Sequence, residues 1–205
     1  MTSARQSRAY VGLGANLGDP AGTLAAAIHA VAALPGASLR GVSRLYATAP
    51  VGVTGQPEFR NAVVALDVPA GPDAATGATA LLAALKAIEA AFGRRPRGHW
   101  GPRELDLDLL VFGRARLAID RPPQARSVDA STDPVKAGRL LEVPHPEART
   151  RLFVLAPLAD VAAGLVPPGW GETVATARRR REVAEGPAAV RAIASWDAAS
   201  QGWRR

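Results

Sequence analysis

The chain contains no cysteine, only three histidines (His29, His99 and His145), and an aromatic content of 5% across 205 residues. The missing thiols exclude disulfide staples and Cys-based zinc sites, and three scattered imidazoles make a zinc enzyme a poor fit. Scarce aromatics count against a surface that stacks single-stranded bases on clustered rings. The opening MTSARQSRAY carries Arg5 and Arg8 but lacks the apolar centre of a signal peptide, and no apolar run reads as long enough to cross a bilayer. These absences lead to the expectation of a cytoplasmic protein with no membrane partner.

A hydrophobic share of 48% lets such a chain bury one sizeable core. The net charge is +7 and the pI about 11.1, which invites a nucleic-acid reading. Part of the excess is local: Arg178 to Arg181 and the terminal Arg204 and Arg205 read by default as a solvated helix face and tail. A second concentration, Arg94, Arg95, Arg97 and Arg103, surrounds a pair of acids. Guanidinium forks suit phosphate because they donate in pairs and stay charged. A small anion such as ATP accounts for them as well as RNA would.

The acids are Asp106 and Asp108, in the run Trp100 to Leu110, WGPRELDLDLL. On a strand, Leu105, Leu107 and Leu109 would face a core while both carboxylates project from the other side, roughly 7 Å apart at Cα. At that spacing their repulsion is about 2 kcal/mol for an effective dielectric of 20, a cost that a divalent cation reverses. Two hard oxygen ligands suit Mg²⁺ carried in with a polyphosphate. The plain alternative is two solvated acids on a half-exposed strand; the arginines and Trp100 just upstream weigh against it.

Ala9 to Leu13 reads as a strand, and Asp19 with Pro20 opens a helix carrying Leu24, Ile28, Val31 and Leu34 at helical spacing. Leu39 to Tyr46 and Phe59 to Val68 read as strands flanking a Pro/Gly loop, Ala47 to Glu58. Asp73 to Phe92 is a long Ala/Leu helix closed by Gly93, and Leu105 to Phe112 is the fourth strand. The order β-α-β-β-α-β predicts an α+β, ferredoxin-like fold, one antiparallel sheet covered by helices. Residues 113–139 read as an irregular insertion within a domain of residues 1–170. Leu152 to Leu158 fits either helix or strand. Residues 171–205 read as a basic helical extension packed on the same domain, with helices at Glu172 to Glu185 and Pro187 to Trp196.

Gly12, Gly14 and Gly18 miss the dinucleotide G-x-G-x-x-G spacing, so a tight turn supporting a neighbouring loop, with Asn16 bonding backbone, is the better reading. Phe59 and Asn61 share a strand face, where a ring and an amide suit a flat heterocycle, although a core phenylalanine and a strand-end asparagine would look alike. His145, between Pro144 and Pro146, suits a phosphate contact or a rigid turn. Trp100 lies among Gly, Arg and Pro, where it either anchors its loop or closes over a ligand.

Four blocks together carry a resemblance: YVGLGANLGD (10–19), YATAPVGVTGQPEFRNAVVAL (46–66), GRRPRGHWGPRELDLDLLVFG (93–113) and VPHPEARTRLFVLAPL (143–158). In this order they resemble the 6-hydroxymethyl-7,8-dihydropterin pyrophosphokinases. The resemblance implies transfer of pyrophosphate from ATP to the pterin hydroxymethyl group, with AMP released. It implies two Mg²⁺ on Asp106 and Asp108, with Arg94, Arg97 and Arg103 in the catalytic set. ATP would be held by Lys86, Glu89, Arg94, Arg103, Leu109, His145 and Arg151. Thr48, Pro50, Val51, Phe59, Asn61, Trp100 and Phe153 would hold the pterin. Only small-molecule partners are implied, with no nucleic acid, and a monomer is the expectation. Ala49 and His99 depart from the family pattern, and nothing beyond Trp170 matches it. Two other readings stand beside this one: an RNA-binding ferredoxin-like module, and a pterin or nucleotide sensor without turnover.

Overall fold

Alternation along the first strand divides its side chains between two cores: Ala9, Val11 and Leu13 enter one, Tyr10 the other. The computed structural model describes residues 5–50, 55–94, 102–122, 138–186 and 188–204. In chain order the elements are β1 (Gln6–Ala15), α1 (Pro20–Ala32), β2 (Ser38–Val42), β3 (Leu45–Thr48), β4 (Phe59–Pro69), α2 (Ala74–Ala91), β5 (Asp106–Phe112), β6 (Leu117–Asp120), β7 (Arg139–Val143), a 3-10 turn (Ala148–Thr150), α3 (Leu152–Ala162), α4 (Val174–Glu185), β8 (Val190–Asp197) and β9 (Gly202–Arg204). The main sheet runs β5-β1-β4-β3-β8-β9 with β2 also on β4, and its pairings are antiparallel. Leu24, Ile28 and Leu85 of α1 and α2 fill one face. Leu155 and Leu158 of α3 and Val174 and Ala177 of α4 fill the other.

The helices begin where their caps put them. Asp19 accepts from Gly22 N at 3.1 Å ahead of α1, and Asp73 accepts from Thr76 N at 2.8 Å ahead of α2. Gly77 lets α2 lie tight on the chain behind it, since a Cβ there would stand 2.3 Å from Ala70 O. By length and composition α2 is apolar enough to cross a membrane, contrary to the sequence expectation. Here it lies on β5, with Lys86 Nζ donating to Leu107 O at 3.1 Å.

Four expectations need correction. The strand expected over Leu39 to Tyr46 is two, β2 and β3, because Ser43 interrupts it; its Oγ accepts from Val63 N at 2.9 Å and keeps β4 bonded across the break. The following loop starts later, because β3 runs to Thr48. The insertion is not irregular throughout, as β6 pairs with β7 as a two-stranded ribbon. The segment expected as the last helix, Pro187 to Trp196, holds the strand β8, whose Val190 and Ile193 suit an extended edge. The Leu152 to Leu158 ambiguity resolves as helix. Arg44 and Tyr46 tie α3 to β3 through Asp160, with Arg44 NH2 2.8 Å from Asp160 Oδ1.

Candidate active site

A trough opens on the sheet face beneath α3, and two glycines make its floor. Gly12 lies within the first strand as read, and Gly14, expected where that strand gives way to a turn, is also inside β1, which is flanked by β5 and β4. Gly14 is paired with Asn61 on one side and Asp106 on the other; Gly12 is paired with Val63 and Asp108. A Cβ at Gly14 would come 3.4 Å from Asn61 Oδ1, so the missing side chain leaves open floor between an amide and a carboxylate. The period-2 spacing of the two glycines was the signal for this, and the phosphate-loop comparison hid it.

Asp106 and Asp108 share that face of β5, while Leu107 and Leu109 are buried in the opposite core. Asp106 is gripped by two arginines: Arg94 NH1 lies 2.6 Å from Oδ1, and Arg103 NH1 bonds Oδ2. Burial would raise the Asp106 pKa, but the guanidiniums of Arg103 and Arg94 override it and hold the group below the usual carboxylate range. Glu89, 2% exposed, accepts from Leu107 N at 2.6 Å, from Lys86 Nζ at 2.8 Å and lies 2.5 Å from Arg94 NH1. Burial pushes its carboxyl up. Glu89 thus fixes the start of β5 from behind, and through Arg94 it fixes Asp106.

No group of three or more His, Cys, Asp or Glu that could hold a metal is found among the described residues. Two carboxylates on one face are a fit for Mg²⁺, which keeps waters and substrate phosphates as its other ligands. They are a poor fit for an ion caged by protein alone.

The opposite wall belongs to β3 and β4. Asn61, 8% exposed, donates from Nδ2 to Thr48 Oγ1 at 2.8 Å. That bond sets the amide's orientation and leaves its carbonyl toward the trough, near Gly14. Phe59 from β4 and Phe153 from α3 both line the cavity, with Leu110 and Val154. Arg151 also lines it, its guanidinium 5.6 Å from the centre of the Phe153 ring and paired with Glu147. Burial lowers the Arg151 pKa, against the pull of Asp108 and Asp106.

Asn16 has a larger role than a turn asparagine. Its Nδ2 donates to Gln56 Oε1 at 3.2 Å and to Pro57 O at 3.3 Å, and its Oδ1 accepts from Arg103 N at 2.8 Å. It joins the stem of the loop before Phe59 to the arginine before the acids. Three-way contacts of this kind come from distant segments, so no local spacing announces them.

The structure brings Thr48, Phe59, Asn61, Arg103, Asp106, Asp108, Arg151 and Phe153 to one cavity, with Arg94 bonded to Asp106. His145 is half-buried beside β5, its N donating to Leu110 O at 2.8 Å. Lys86 and Glu89 lie behind β5 rather than in the cavity lining, and the Leu109 side chain points into the core. Pro50 is half-buried and not among the lining residues. Val51, Arg97 and Trp100 lie outside the described residues.

A family model described as 7,8-dihydro-6-hydroxymethylpterin-pyrophosphokinase matches residues 10–163. A 2-amino-4-hydroxy-6-hydroxymethyldihydropteridine pyrophosphokinase of Methylorubrum extorquens is 39% identical over 168 residues, covering 82% of this chain and 89% of its own. The enzyme of that name from Pseudomonas aeruginosa is 41% identical over 161 residues, 78% of this chain and 84% of its own. Among solved structures, a Plasmodium falciparum HPPK-DHPS triple mutant with STZ-DHP matches with a TM-score of 0.70 at 12% identity, covering 100% of this chain. This chain spans about half the length of that one, 49%, and the likeness supports the ferredoxin-like fold. On the 154-residue span from 10 to 163 and the identities of 39% and 41%, the chain belongs to the 7,8-dihydro-6-hydroxymethylpterin-pyrophosphokinase family.

Proposed function

We propose that the chain moves pyrophosphate from ATP to the hydroxymethyl oxygen of 6-hydroxymethyl-7,8-dihydropterin, releasing AMP, in the trough between Asn61 and Asp106. The observation that carries this reading is the pairing of Gly14 with both of those residues, which sets an amide and a carboxylate platform on either side of one open strand. Asn61 and Thr48 read the pterin edge, and Phe59 and Phe153 hold its ring. Asp106 and Asp108 would hold two Mg²⁺ ions, which when bound neutralise the triphosphate and favour in-line displacement. Arg94, Arg103 and Arg151 supply donors to the phosphate oxygens, with His145 beside them. Glu89 and Lys86 act on ATP by holding the β5 backbone. The hydroxymethyl oxygen attacks the β-phosphorus, the bond from that phosphorus to the bridging oxygen of AMP breaks, and Asp108 is our candidate for the hydroxyl proton.

We take the chain to be a monomer working on small molecules in the cytoplasm. Much of the Arg178 to Arg181 run is matched locally: Arg178 lies 2.7 Å from Glu182, Arg180 2.9 Å from Glu172 and Arg181 2.5 Å from Glu185. That pairing weakens the RNA reading. The test is to incubate the purified protein with ATP, Mg²⁺ and hydroxymethyldihydropterin and to measure AMP and pterin diphosphate. No AMP above an Asp106→Ala control overturns the proposal.

A further inference from the structure

Strand β8 begins beside the wall assigned to the pterin. Its register on β3 runs from Leu45↔Ala194 to Thr48↔Val190, and the β3–β4 hairpin has Thr48↔Phe59 as its last pair before the loop. The β3 stem of that loop therefore pairs with the first residue of β8, and the stem leading into β4 reaches β8 through a side chain. One stem is also tied directly, because Arg191 NH2 donates to Glu58 Oε1 at 2.6 Å while Glu58 Oε2 lies 3.2 Å from Arg60. The strand is seated from beneath: Ala189 and Val190 pack on Tyr46, Leu152 and Ala156. Its far end is anchored on α1, where Trp203 Nε1 donates to Ala21 O at 3.1 Å and Trp196 meets the Trp203 ring edge-on at 5.0 Å. All of β8 and β9 lies beyond residue 163, where the family match ends.

We propose that the β8–β9 hairpin holds Thr48 and Phe59 in their pterin-binding positions and that Arg191 is the positioning residue through which it does so. The proposal rests on the assignment of Thr48, Phe59 and Asn61 to the pterin wall. A short edge strand such as β3, bonded on one side only, can splay; bonded on both sides it cannot, and the ordering cost falls on folding rather than on ligand binding. The Arg191–Glu58 pair is partly exposed, at 54% and 43%, so it acts as a screened restraint of modest size.

The test is steady-state kinetics of the full chain, with KM for pterin and for ATP measured separately. Arg191→Ala and Glu58→Gln should each raise the pterin KM about threefold, with kcat and the ATP KM within about twofold of wild type. The double variant should be no worse than the larger single effect, and Arg191→Lys should restore most of the loss. The effect should shrink in about 0.5 M salt, which a packing defect would not do. An unchanged pterin KM, an equal rise in both KM values, or additive losses overturn the proposal. Wild-type protein that makes no AMP overturns the pyrophosphokinase assignment instead, whereas active wild type with unaffected variants overturns this inference alone.

Discussion

Asn16 and Arg103 bond each other in both directions: Arg103 N donates to Asn16 Oδ1 at 2.8 Å, and Asn16 N donates to Arg103 O at 3.1 Å. With the same amide donating to Gln56 and Pro57, one side chain that is 2% exposed registers the two walls of the site against each other. Asn16→Ala removes these bonds from a buried site and should cost about 1–3 kcal/mol of stability. We expect kcat/KM to fall at least about tenfold. Asn16→Asp keeps the acceptor for Arg103 but sets a carboxylate against Pro57 O, so it should raise the pterin KM more than the ATP KM. Thermal melts and separate KM values check both.

Gly14→Ala should separate folding from binding. At 3.4 Å from Asn61 Oδ1 the added methyl makes an ordinary contact, and alanine suits a strand interior better than glycine by about 0.5–1 kcal/mol. The melting temperature should hold or rise while pterin affinity weakens about tenfold, as measured by calorimetric titration. Wild-type pterin affinity would mean that the ligand does not rest on β1.

The two acids should differ in what they take with them. Asp108→Asn should remove Mg²⁺-dependent turnover by at least about 100-fold while leaving pterin binding without nucleotide intact. Asp106→Asn should abolish turnover and also lower the melting temperature, because it leaves Arg94 and Arg103 facing an uncharged amide. Equal loss of pterin affinity in Asp108→Asn would contradict the division between the walls. Chelation by EDTA should stop the wild-type reaction and leave its melting curve unchanged.

Asp106 and Glu89 should give opposite pH dependences to stability. Asp106 is held below its ordinary 3.8, so its contribution is present above about pH 4 and is lost as pH falls through the folded value. Glu89 is raised above its ordinary 4.5 by burial, so stability is greatest below that value and declines as pH rises through the folded one. In melts between about pH 2 and 7, Asp106→Asn should flatten the acid limb. Glu89→Gln should flatten the decline above it.

Local chemistry made much of this legible. Asp19 and Asp73 announced their helices, and Leu105, Leu107 and Leu109 alternating with Asp106 and Asp108 gave both the strand and its two faces. What escaped was non-local. The break at Ser43 depends on a hydroxyl answering Val63 of another strand, and β8 is a strand because β3 offers it an open edge. Its own alanine-rich sequence suits a helix equally well. Gly14 looks like a turn residue until neighbours on both sides make its bareness useful, and Asn16 bonds to partners 40 and 87 positions away.

The glycine floor has one more consequence. Asn61 and Asp106 stand on the two strands flanking β1, so their separation is two strand spacings, roughly 10 Å, fixed by main-chain hydrogen bonds. The sheet is a ruler between the group proposed to select the acceptor and the group proposed to meet the phosphates. Sequence changes in the segments on either side leave that length unaltered, so the span of the proposed transfer is inherited from the backbone.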